Sequence, residues 1–268
     1  MLSDDQMMIQ GSGCTMTELV GHSIALLREH EPPEGYYGCF SGGKDSCVIK
    51  ELARLADVKV DWHYNVTTVD PPELTRFIRQ HHPDVQWDRP ERTMYAEVLR
   101  GGRFPTRRVR WCCKFTKERF GVGRVKLFGI RAEESKRRAA LWSNVSRDMY
   151  TGIEIILPIF GWLDTDVWRF IRETGIPYCS LYDEGFTRLG CVLCPMGSAK
   201  QKQVQMERWP KIAALWRRAF RELWDSKGDD WTMKQRFTSA DEMFAWWVSD
   251  ESIPPVPCGQ TDLKDLLF

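Results

Sequence analysis

The sequence predicts an α/β fold with a doubly wound, mostly parallel sheet and a helical C-terminal extension. Short β-type apolar runs alternate with amphipathic helical runs through most of the chain, and strands that alternate with helices form parallel sheets. From about residue 200 the strand-like runs cease, and apolar residues recur at helical spacing. We therefore expect an α/β domain at residues 1–198 and a helical extension with a proline-rich tail at residues 199–268.

Each element has its own signal in the sequence. Apolar residues at helical spacing predict a helix at 15–30 that stops before two prolines. Runs of β-forming residues predict strands at 36–40, 58–64, 124–130 and 154–160. Further helices are predicted after the glycines at 42 and 43, after the prolines at 71 and 72, at 163–173 and at 209–224. Repeated prolines from Ile253 to Cys258 predict an extended tail.

Composition excludes several classes of protein. Lys and Arg number 38 against 37 Asp and Glu, so overall charge does not attract nucleic acid and any basic patch must be local. No apolar run approaches the roughly 18 residues that a membrane span needs, and residues 1–6 lack the features of a signal peptide. We expect a soluble, cytoplasmic protein with no membrane partner. In a reducing compartment its nine cysteines indicate metal binding or catalysis rather than disulfides.

A glycine-rich loop lies between the first predicted strand and its helix, where open α/β sheets bind ligands. It reads Ser41-Gly42-Gly43-Lys44-Asp45-Ser46. The glycines let backbone N–H groups approach an anion, while the helix N-terminus and the lysine add positive charge. The loop therefore predicts phosphate binding, although a plain turn capped by Ser41 or Asp45 is the alternative. Asp70, after the second strand, is a further candidate, but an aspartate before two prolines is also typical of a turn.

Two cysteine pairs, Cys112-Cys113 and Cys191-Val192-Leu193-Cys194, could supply four thiolates. If the fold brings them together, they could hold zinc or an iron–sulfur cluster. Adjacent cysteines rarely converge on one tetrahedral zinc, whereas the irons of a cubane are spread apart, so a [4Fe–4S] cluster is favoured over zinc. The alternative for the first pair is burial as small apolar side chains, which we also expect for Cys14, Cys39, Cys47 and Cys179.

These motifs resemble known families. The loop hexapeptide resembles the PP-loop of ATP pyrophosphatases, which cleave ATP between the α and β phosphates to adenylate a substrate. The resemblance implies that residues 41–46 hold the pyrophosphate, with Mg²⁺. The cysteine pairs resemble the cluster signature of adenylylsulfate reductases in the phosphoadenosine phosphosulfate (PAPS) reductase family, whose fold is adenine nucleotide alpha-hydrolase-like. The stretches 129–138 and 182–191 are also similar to that family, and the matches together span residues 36–197.

A basic segment surrounds the first cysteine pair. Residues 103–126 carry one acid, Glu118, and nine basic residues: Arg103, Arg107, Arg108, Arg110, Lys114, Lys117, Arg119, Arg124 and Lys126. Such a group could bind sulfate or phosphate, offset the charge of a cluster, or form a solvated face. Contacts from Arg103 to Lys126 with nucleic acid are a further interpretation.

An anion pocket is expected between the glycine loop and the stretch 129–138, which follows the strand predicted at 124–130. Within that stretch, Arg131 and Arg138 are candidates to clamp the activated group. Glu134 and Ser135 are candidates to bind the nucleotide.

Two features favour different reactions. The loop of sulfonucleotide reductases typically departs from Ser-Gly-Gly-x-Asp-Ser, so the intact loop favours ATP over adenylyl sulfate. Cys258, in contrast, could be the nucleophile of a reductase, although its neighbours lack the Glu-Cys-Gly-aliphatic-His form.

We predict an enzyme that uses ATP, releases pyrophosphate and adenylates a substrate for iron–sulfur-assisted sulfur transfer, similar to DNA phosphorothioation and tRNA thiolation enzymes. A PAPS or adenylylsulfate reductase and a non-catalytic iron–sulfur scaffold are the alternatives. The expected partners are a cysteine desulfurase or thioredoxin-like sulfur donor and a second copy of the chain.

Overall fold

The computed structural model describes residues 14–118, 120–148 and 151–256. Two residues singled out in the sequence, Arg119 of the basic segment and Cys258 of the tail, lie outside the described residues. The described part of the tail, residues 251–256, has no regular secondary structure, as its prolines predict.

The described residues form one six-stranded sheet in the order β3-β2-β1-β4-β6-β5. Its strands are β1 (Tyr36–Cys39), β2 (Val60–Asn65), β3 (Gln86–Asp88), β4 (Lys126–Leu127), β5 (Val145–Arg147) and β6 (Glu154–Ile156). Neighbouring strands are parallel, except that the edge strand β5 is antiparallel to β6. The strand order reverses between β1 and β4, which opens a crevice at the carboxyl end of β1. The predicted doubly wound, mostly parallel sheet is confirmed.

Eleven helices are present in the described residues. They are α1 (Met16–Glu29), α2 (Lys44–Ala56), α3 (Pro72–His81), α4 (Met94–Gly101), α5 (Trp111–Cys113), α6 (Lys136–Leu141), α7 (Asp164–Thr174), α8 (Ala199–Arg208), α9 (Pro210–Asp225), α10 (Thr232–Arg236) and α11 (Ala240–Val248). A π-helical turn spans Lys114–Glu118, and 3₁₀ turns span Ala132–Glu134 and Ser180–Tyr182. No helix in the described ranges is long and apolar enough to cross a membrane.

Four predicted strands correspond to β1, β2, β4 and β6, but the last two are shorter than predicted. The β6 ladder ends just before Pro158, which has no N–H to donate. The sequence analysis missed β3 and β5, because strands of three residues are too short to display an alternating pattern. The strands lie at the centre of the core, where Tyr36, Leu127 and Ile156 have no exposed surface.

The chain divides into two compact units that are not continuous in sequence. The first unit contains Met1–Asn65, Pro72–Asp88 and Phe120–Leu189, and therefore the whole sheet. The second contains Val66–Pro71, Arg89–Arg119 and Gly190–Phe268. The boundary at residues 198 and 199 that the sequence predicts stays a prediction.

Aromatic side chains form the core of the second unit. The α9 ring of Phe220 stacks on Phe104 with 4.6 Å between ring centroids and lies 5.3 Å from Phe244 of α11. The indole N–H of Trp247 donates to the Pro105 carbonyl at 2.6 Å. The helical character predicted for the C-terminal part is confirmed, and three of its six tryptophans, Trp209, Trp216 and Trp247, are buried.

His82, just after α3 in the first unit, is held in its neutral form. The side chain is 8% exposed. Its Nδ1 lies 3.4 Å from the Lys50 ammonium, which can only donate, and its Nε2 lies 3.9 Å from Cys47 Sγ. Burial, and next the charge of Lys50, lower the pKa of His82 from 6.5 to about 4.

We expect this histidine to destabilise the fold at acid pH. Between pH 6.5 and about 4 the unfolded chain binds a proton that the folded protein excludes, so the free energy of unfolding falls as the pH drops. In the His82→Gln variant, the decrease in the free energy of unfolding over this pH range should be smaller than in the wild type by about 2 to 3 kcal/mol. Urea unfolding at several pH values measures it. His81→Gln, at an exposed position, is the control, and its free energy of unfolding should depend on pH as that of the wild type does. An unchanged acid slope in His82→Gln would contradict the prediction.

Candidate functional site

The glycine loop connects the carboxyl end of β1 to the first turn of α2. Gly42 has a φ of +73°, and a Cβ there would lie 2.8 Å from side-chain atoms of Ile78 and Leu74, so only glycine fits. Gly43 is the N-cap of α2 and offers no side-chain cap. The Ser46 hydroxyl donates to the Gly43 carbonyl at 2.7 Å. The alternative in which Ser41 or Asp45 caps the helix is therefore not what the structure has.

Two cations are buried beside this loop. Lys44 and Arg131 are each 4% exposed. The lysine Nζ lies 2.9 Å from one oxygen of Asp45 and 2.9 Å from Asp164 Oδ1. The Arg131 guanidinium lies 2.7 Å from the other oxygen of Asp45 and 2.8 Å from the same Asp164 Oδ1. Two carboxylates thus link both cations in one network.

Glu133 completes the network. Its Oε2 accepts from Arg131 at 2.7 Å and from the Asp164 backbone N–H at 2.6 Å. Burial by itself would lower the pKa of Arg131, but the charge of Asp45 and the hydrogen bonds that Arg131 donates to Asp45 and Glu133 outweigh it, and the pKa is raised. Burial likewise opposes the ionised form of Asp164, and the Lys44 and Arg131 contacts lower its pKa nonetheless. Both shifts favour the charged forms of Arg131 and Asp164.

Strand order brings these distant residues together. β1, β4 and β6 are adjacent, and the loop, Arg131 and Asp164 each follow one of these strands. Because the strands are parallel, their carboxyl ends share one edge of the sheet. Gly129 allows the close approach, since a Cβ there would lie 3.0 Å from the Asp45 backbone.

The other residues of the stretch 129–138 have local contacts. The Glu134 carboxylate accepts from the Arg131 backbone N–H at 3.0 Å and also pairs with Arg138. The Ser135 hydroxyl caps α6 by accepting the Arg138 backbone N–H at 3.2 Å. The structure thus places Arg131 in the loop network, whereas roles for Arg138, Glu134 and Ser135 in binding or catalysis stay predictions.

Tyr182 also contacts the loop. Its hydroxyl oxygen accepts the backbone N–H of Lys44 at 2.9 Å, the first amide of α2. Burial raises the pKa of Tyr182 above its ordinary value, although the hydrogen bond from Lys44 works in the opposite direction. The phenol therefore keeps its proton at neutral pH.

The four predicted cluster cysteines all belong to the second unit. The last two residues of α5 are Cys112 and Cys113. A turn begins at Cys191 and ends at Cys194, whose N–H donates to the Cys191 carbonyl at 3.3 Å. No group of three or more His, Cys, Asp and Glu side chains in the described part of the chain is arranged as a ready-made metal site. The cluster assignment stays a prediction.

The four thiols nevertheless influence one another's pKa values. A hydrogen bond from Cys112 lowers the pKa of Cys113, helped by the Arg110 guanidinium 3.4 Å from its sulfur. The same bond, burial and the charges of the other three thiols raise the pKa of Cys112. The contact between the two thiols therefore favours the thiolate at Cys113 and the protonated thiol at Cys112.

Positive charge accumulates around these thiols. The charge of Cys191 contributes most to a raised pKa of Lys117, and Asp70 and Cys113 contribute as well.

Asp70 accepts the Thr67 N–H at 2.9 Å, a contact of the turn kind that its alternative interpretation predicts. Arg107 donates to the carbonyls of Pro195 and Gly197, both at 3.0 Å, and so anchors the chain just after Cys194.

The basic segment thus has mixed roles. Arg107 and Arg110 serve the cysteine turns, and Arg124 pairs with Asp61 at 2.8 Å. Arg103, Arg108 and Lys114 are exposed, and a nucleic-acid contact through this segment stays a prediction.

No role is predicted from the sequence for Asp164, Glu133 or Tyr182, although the last two lie in the family-like stretches 129–138 and 182–191. A weak signal existed for Asp164, because it follows a predicted strand at the start of a predicted helix, where parallel sheets place ligand-binding residues. No local signal connects Tyr182 to the loop, because 137 residues separate it from Lys44 in sequence and its partner is a backbone amide.

The sheet and its crevice define a doubly wound α/β protein with a loop site at the point where the strand order reverses. Residues 36–197 match the phosphoadenosine phosphosulfate reductase domain, and the chain belongs to this family. The family is one of nucleotide-binding enzymes. The predicted resemblance is confirmed at this level, whereas the cysteine signature is not tested by the match.

Individual relatives are similar over parts of the chain. An uncharacterized protein of Methanocaldococcus jannaschii is 30% identical over 211 residues, which cover 73% of this chain and 44% of that protein. An adenosine 5'-phosphosulfate reductase of Allochromatium vinosum is 36% identical over 81 residues, 30% of this chain and 31% of that protein. The chain thus spans less than half the length of either relative. The crystal structure of PAPS reductase from Candida auris, a phosphate complex, aligns with a TM-score of 0.49 and 18% identity, covering 67% of this chain and 95% of that chain.

We expect the loop to tolerate no side chain at Gly42. Gly42→Ala combines a positive φ with overpacking against Ile78 and Leu74, and should lower the free energy of unfolding by about 2 to 4 kcal/mol. Gly175→Ala is a matched control, because its φ of +67° is similar but nothing lies within 4 Å of the added Cβ. That variant should lose only about 1 kcal/mol in urea unfolding. Equal losses in both variants would show that packing around the loop is not tight.

Proposed function

We propose that this chain binds ATP at the glycine loop, releases pyrophosphate and adenylates a substrate that then receives sulfur with the help of an iron–sulfur cluster. The observation that carries the proposal is the pair of buried cations, Lys44 and Arg131, held at the N-terminus of α2 beside a loop that only glycine can form. Buried charges are costly unless paired, and such arrangements are typical of functional sites. Membership in a family of nucleotide-binding enzymes supports the nucleotide.

The residues of the loop suit a pyrophosphate leaving group. A substrate oxygen would attack the α-phosphorus, the bond from that phosphorus to the bridging oxygen would break, and pyrophosphate would depart with the electron pair. The N-terminus of α2 and Lys44 would stabilise the charge that develops on it. Arg131 would hold the activated group, because its guanidinium presents donors in a fixed geometry.

Magnesium is expected to accompany the nucleotide. Asp45, Asp164 and Glu133 outnumber Lys44 and Arg131, which leaves the network with a formal charge of −1. Bare pyrophosphate would meet this negative charge, whereas a divalent cation bound to the phosphates offsets it. Magnesium commonly binds proteins through one or two carboxylates together with phosphates, and Asp164, whose side chain is about half exposed, would serve in this way.

The thiols of the second unit have the chemistry that an iron–sulfur cluster needs. Cys113 is readily ionised, and Arg110 and Lys117 supply positive charge that would offset thiolates and sulfides. Cys112, Cys113, Cys191 and Cys194 would hold the cluster, and the cluster would supply a place to bind or pass sulfur. A sulfur-donor protein of the cysteine desulfurase or thioredoxin-like kind is part of this proposal.

The nucleotide step is tested by pyrophosphate release. The anaerobically purified protein, given ATP and Mg²⁺, should release pyrophosphate, and Lys44→Ala should reduce the rate by about 100-fold or more because the leaving group loses its cation. Lys59→Ala removes an exposed lysine of the same unit and should leave the rate unchanged. Full activity in Lys44→Ala would refute the assignment. Sulfite formed from adenylyl sulfate and a thiol, and lost in Cys258→Ser, would instead establish a reductase.

The cluster is tested by metal analysis. We expect about four iron and four acid-labile sulfide per chain and a brown protein. Cys113→Ser and Cys194→Ser should lose most of both, while Cys14→Ser, outside the four-cysteine group, should keep them. Stoichiometric zinc in a colourless protein would overturn the cluster assignment. A cluster-loaded protein that neither releases pyrophosphate nor forms sulfite would favour the scaffold alternative.

A further inference from the structure

The hydroxyl of Tyr182 occupies a position that the loop chemistry does not explain. It accepts the Lys44 backbone N–H at 2.9 Å, and a Cβ on Gly43 would lie 3.3 Å from the same oxygen. A phenol carries one donor as well as its acceptor lone pairs. Within the described residues this is the one hydrogen bond that the structure gives to the Tyr182 oxygen, so its O–H is left to donate beside the loop.

Two interpretations of this contact predict opposite effects on an anion. If Tyr182 occupies the place of the anion, binding must displace it, and removing its hydroxyl frees an amide and tightens binding. If Tyr182 remains in place, its O–H extends the row of donors around the loop, and removing the hydroxyl weakens binding.

The packing around Tyr182 favours a residue that stays in place. Its ring lies edge-on against Trp168, with 5.2 Å between centroids and 86° between planes, and Tyr178 packs on it at 6.4 Å. The preceding Leu181 is fully buried, and the Tyr182 backbone N–H donates to the Cys179 carbonyl at 3.1 Å. Moving the Tyr182 side chain out of the loop would break its ring contacts with Trp168 and Tyr178, and the backbone that carries it is itself held in place.

We propose that Tyr182 is an anion-binding residue of the loop, whose oxygen accepts the Lys44 amide while its O–H donates to a phosphate oxygen of the bound pyrophosphate. The inference rests on the proposed function, because it assigns one more donor to the same site. The raised pKa of the phenol keeps that proton available at neutral pH. The hydroxyl thus relays the positive end of α2 outward from the loop.

The test is titration calorimetry of the full chain with inorganic pyrophosphate and Mg²⁺. Tyr182→Phe keeps the ring packing and removes the hydroxyl, and should raise the Kd about tenfold or more, the range for a hydrogen bond to a charged group. Tyr178→Phe is the matched control from the same aromatic cluster, since its hydroxyl bonds to Asp183 at 3.0 Å instead. It should leave the Kd within about twofold of the wild type.

A second readout separates binding from a loss of the helix cap. Pyrophosphate should raise the Tm of Tyr182→Phe less than it raises the Tm of wild type and of Tyr178→Phe, whatever the starting stability of each. An unchanged or tighter Kd in Tyr182→Phe overturns this inference alone, because Tyr182 would then only cap α2 or block the loop. Failure of the wild type to bind pyrophosphate overturns the proposed function together with it.

Discussion

The sharing of Asp45 and Asp164 between Lys44 and Arg131 is the interaction on which the site depends. Neither cation could be 4% exposed without a carboxylate beside it, because an unpaired buried charge costs several kcal/mol. The same contacts connect three chain segments that follow β1, β4 and β6, so the electrostatic network also fixes the shape of the crevice. Structure and charge are therefore determined together at this edge of the sheet. A ligand that enters the crevice meets charges whose positions are already set, which is the condition for stabilising a leaving group without reorganisation.

Three glycines and one tyrosine shape the backbone of the loop site around this network. A Cβ on Gly42 would collide with the side chains of Ile78 and Leu74, and one on Gly129 would crowd the Asp45 backbone. Gly43 leaves the N-terminus of α2 without a side-chain cap. Tyr182 supplies the missing acceptor from a 3₁₀ turn that is held by its own aromatic neighbours. Amides at a helix N-terminus are ordinarily satisfied by a cap, by water or by a ligand. Here the first amide of α2 is satisfied by a side chain that can itself donate onward, which keeps the end of the helix electropositive.

The second unit uses its basic residues in a different way. Arg107 anchors the chain after Cys194, Arg110 lies against the sulfur of Cys113, and the thiols in turn favour the charged form of Lys117. These arginines and this lysine are therefore occupied in shaping and balancing the cysteine turns, and fewer of the segment's charges are left for a large polyanion than the sequence suggests. The hydrogen bond between the Cys112 and Cys113 thiols shifts their pKa values in opposite directions, because two neighbouring thiols share one proton more easily than they lose two.

The sequence by itself determined the fold class, the long strands and helices, the glycine loop and the two cysteine pairs, because each depends on neighbours along the chain. Apolar periodicity reports local backbone geometry, and glycines report where the backbone must be free. The sequence did not reveal the three-residue strands β3 and β5 or the contacts of Asp164, Glu133 and Tyr182. Those were decided by the tertiary structure, because strand order selects which loops meet at one edge, and strand order is set by contacts between residues far apart in sequence. Asp70 illustrates the same limit, since its hydrogen bond with the Thr67 amide is visible only in the structure, while its role in nucleotide binding stays a prediction.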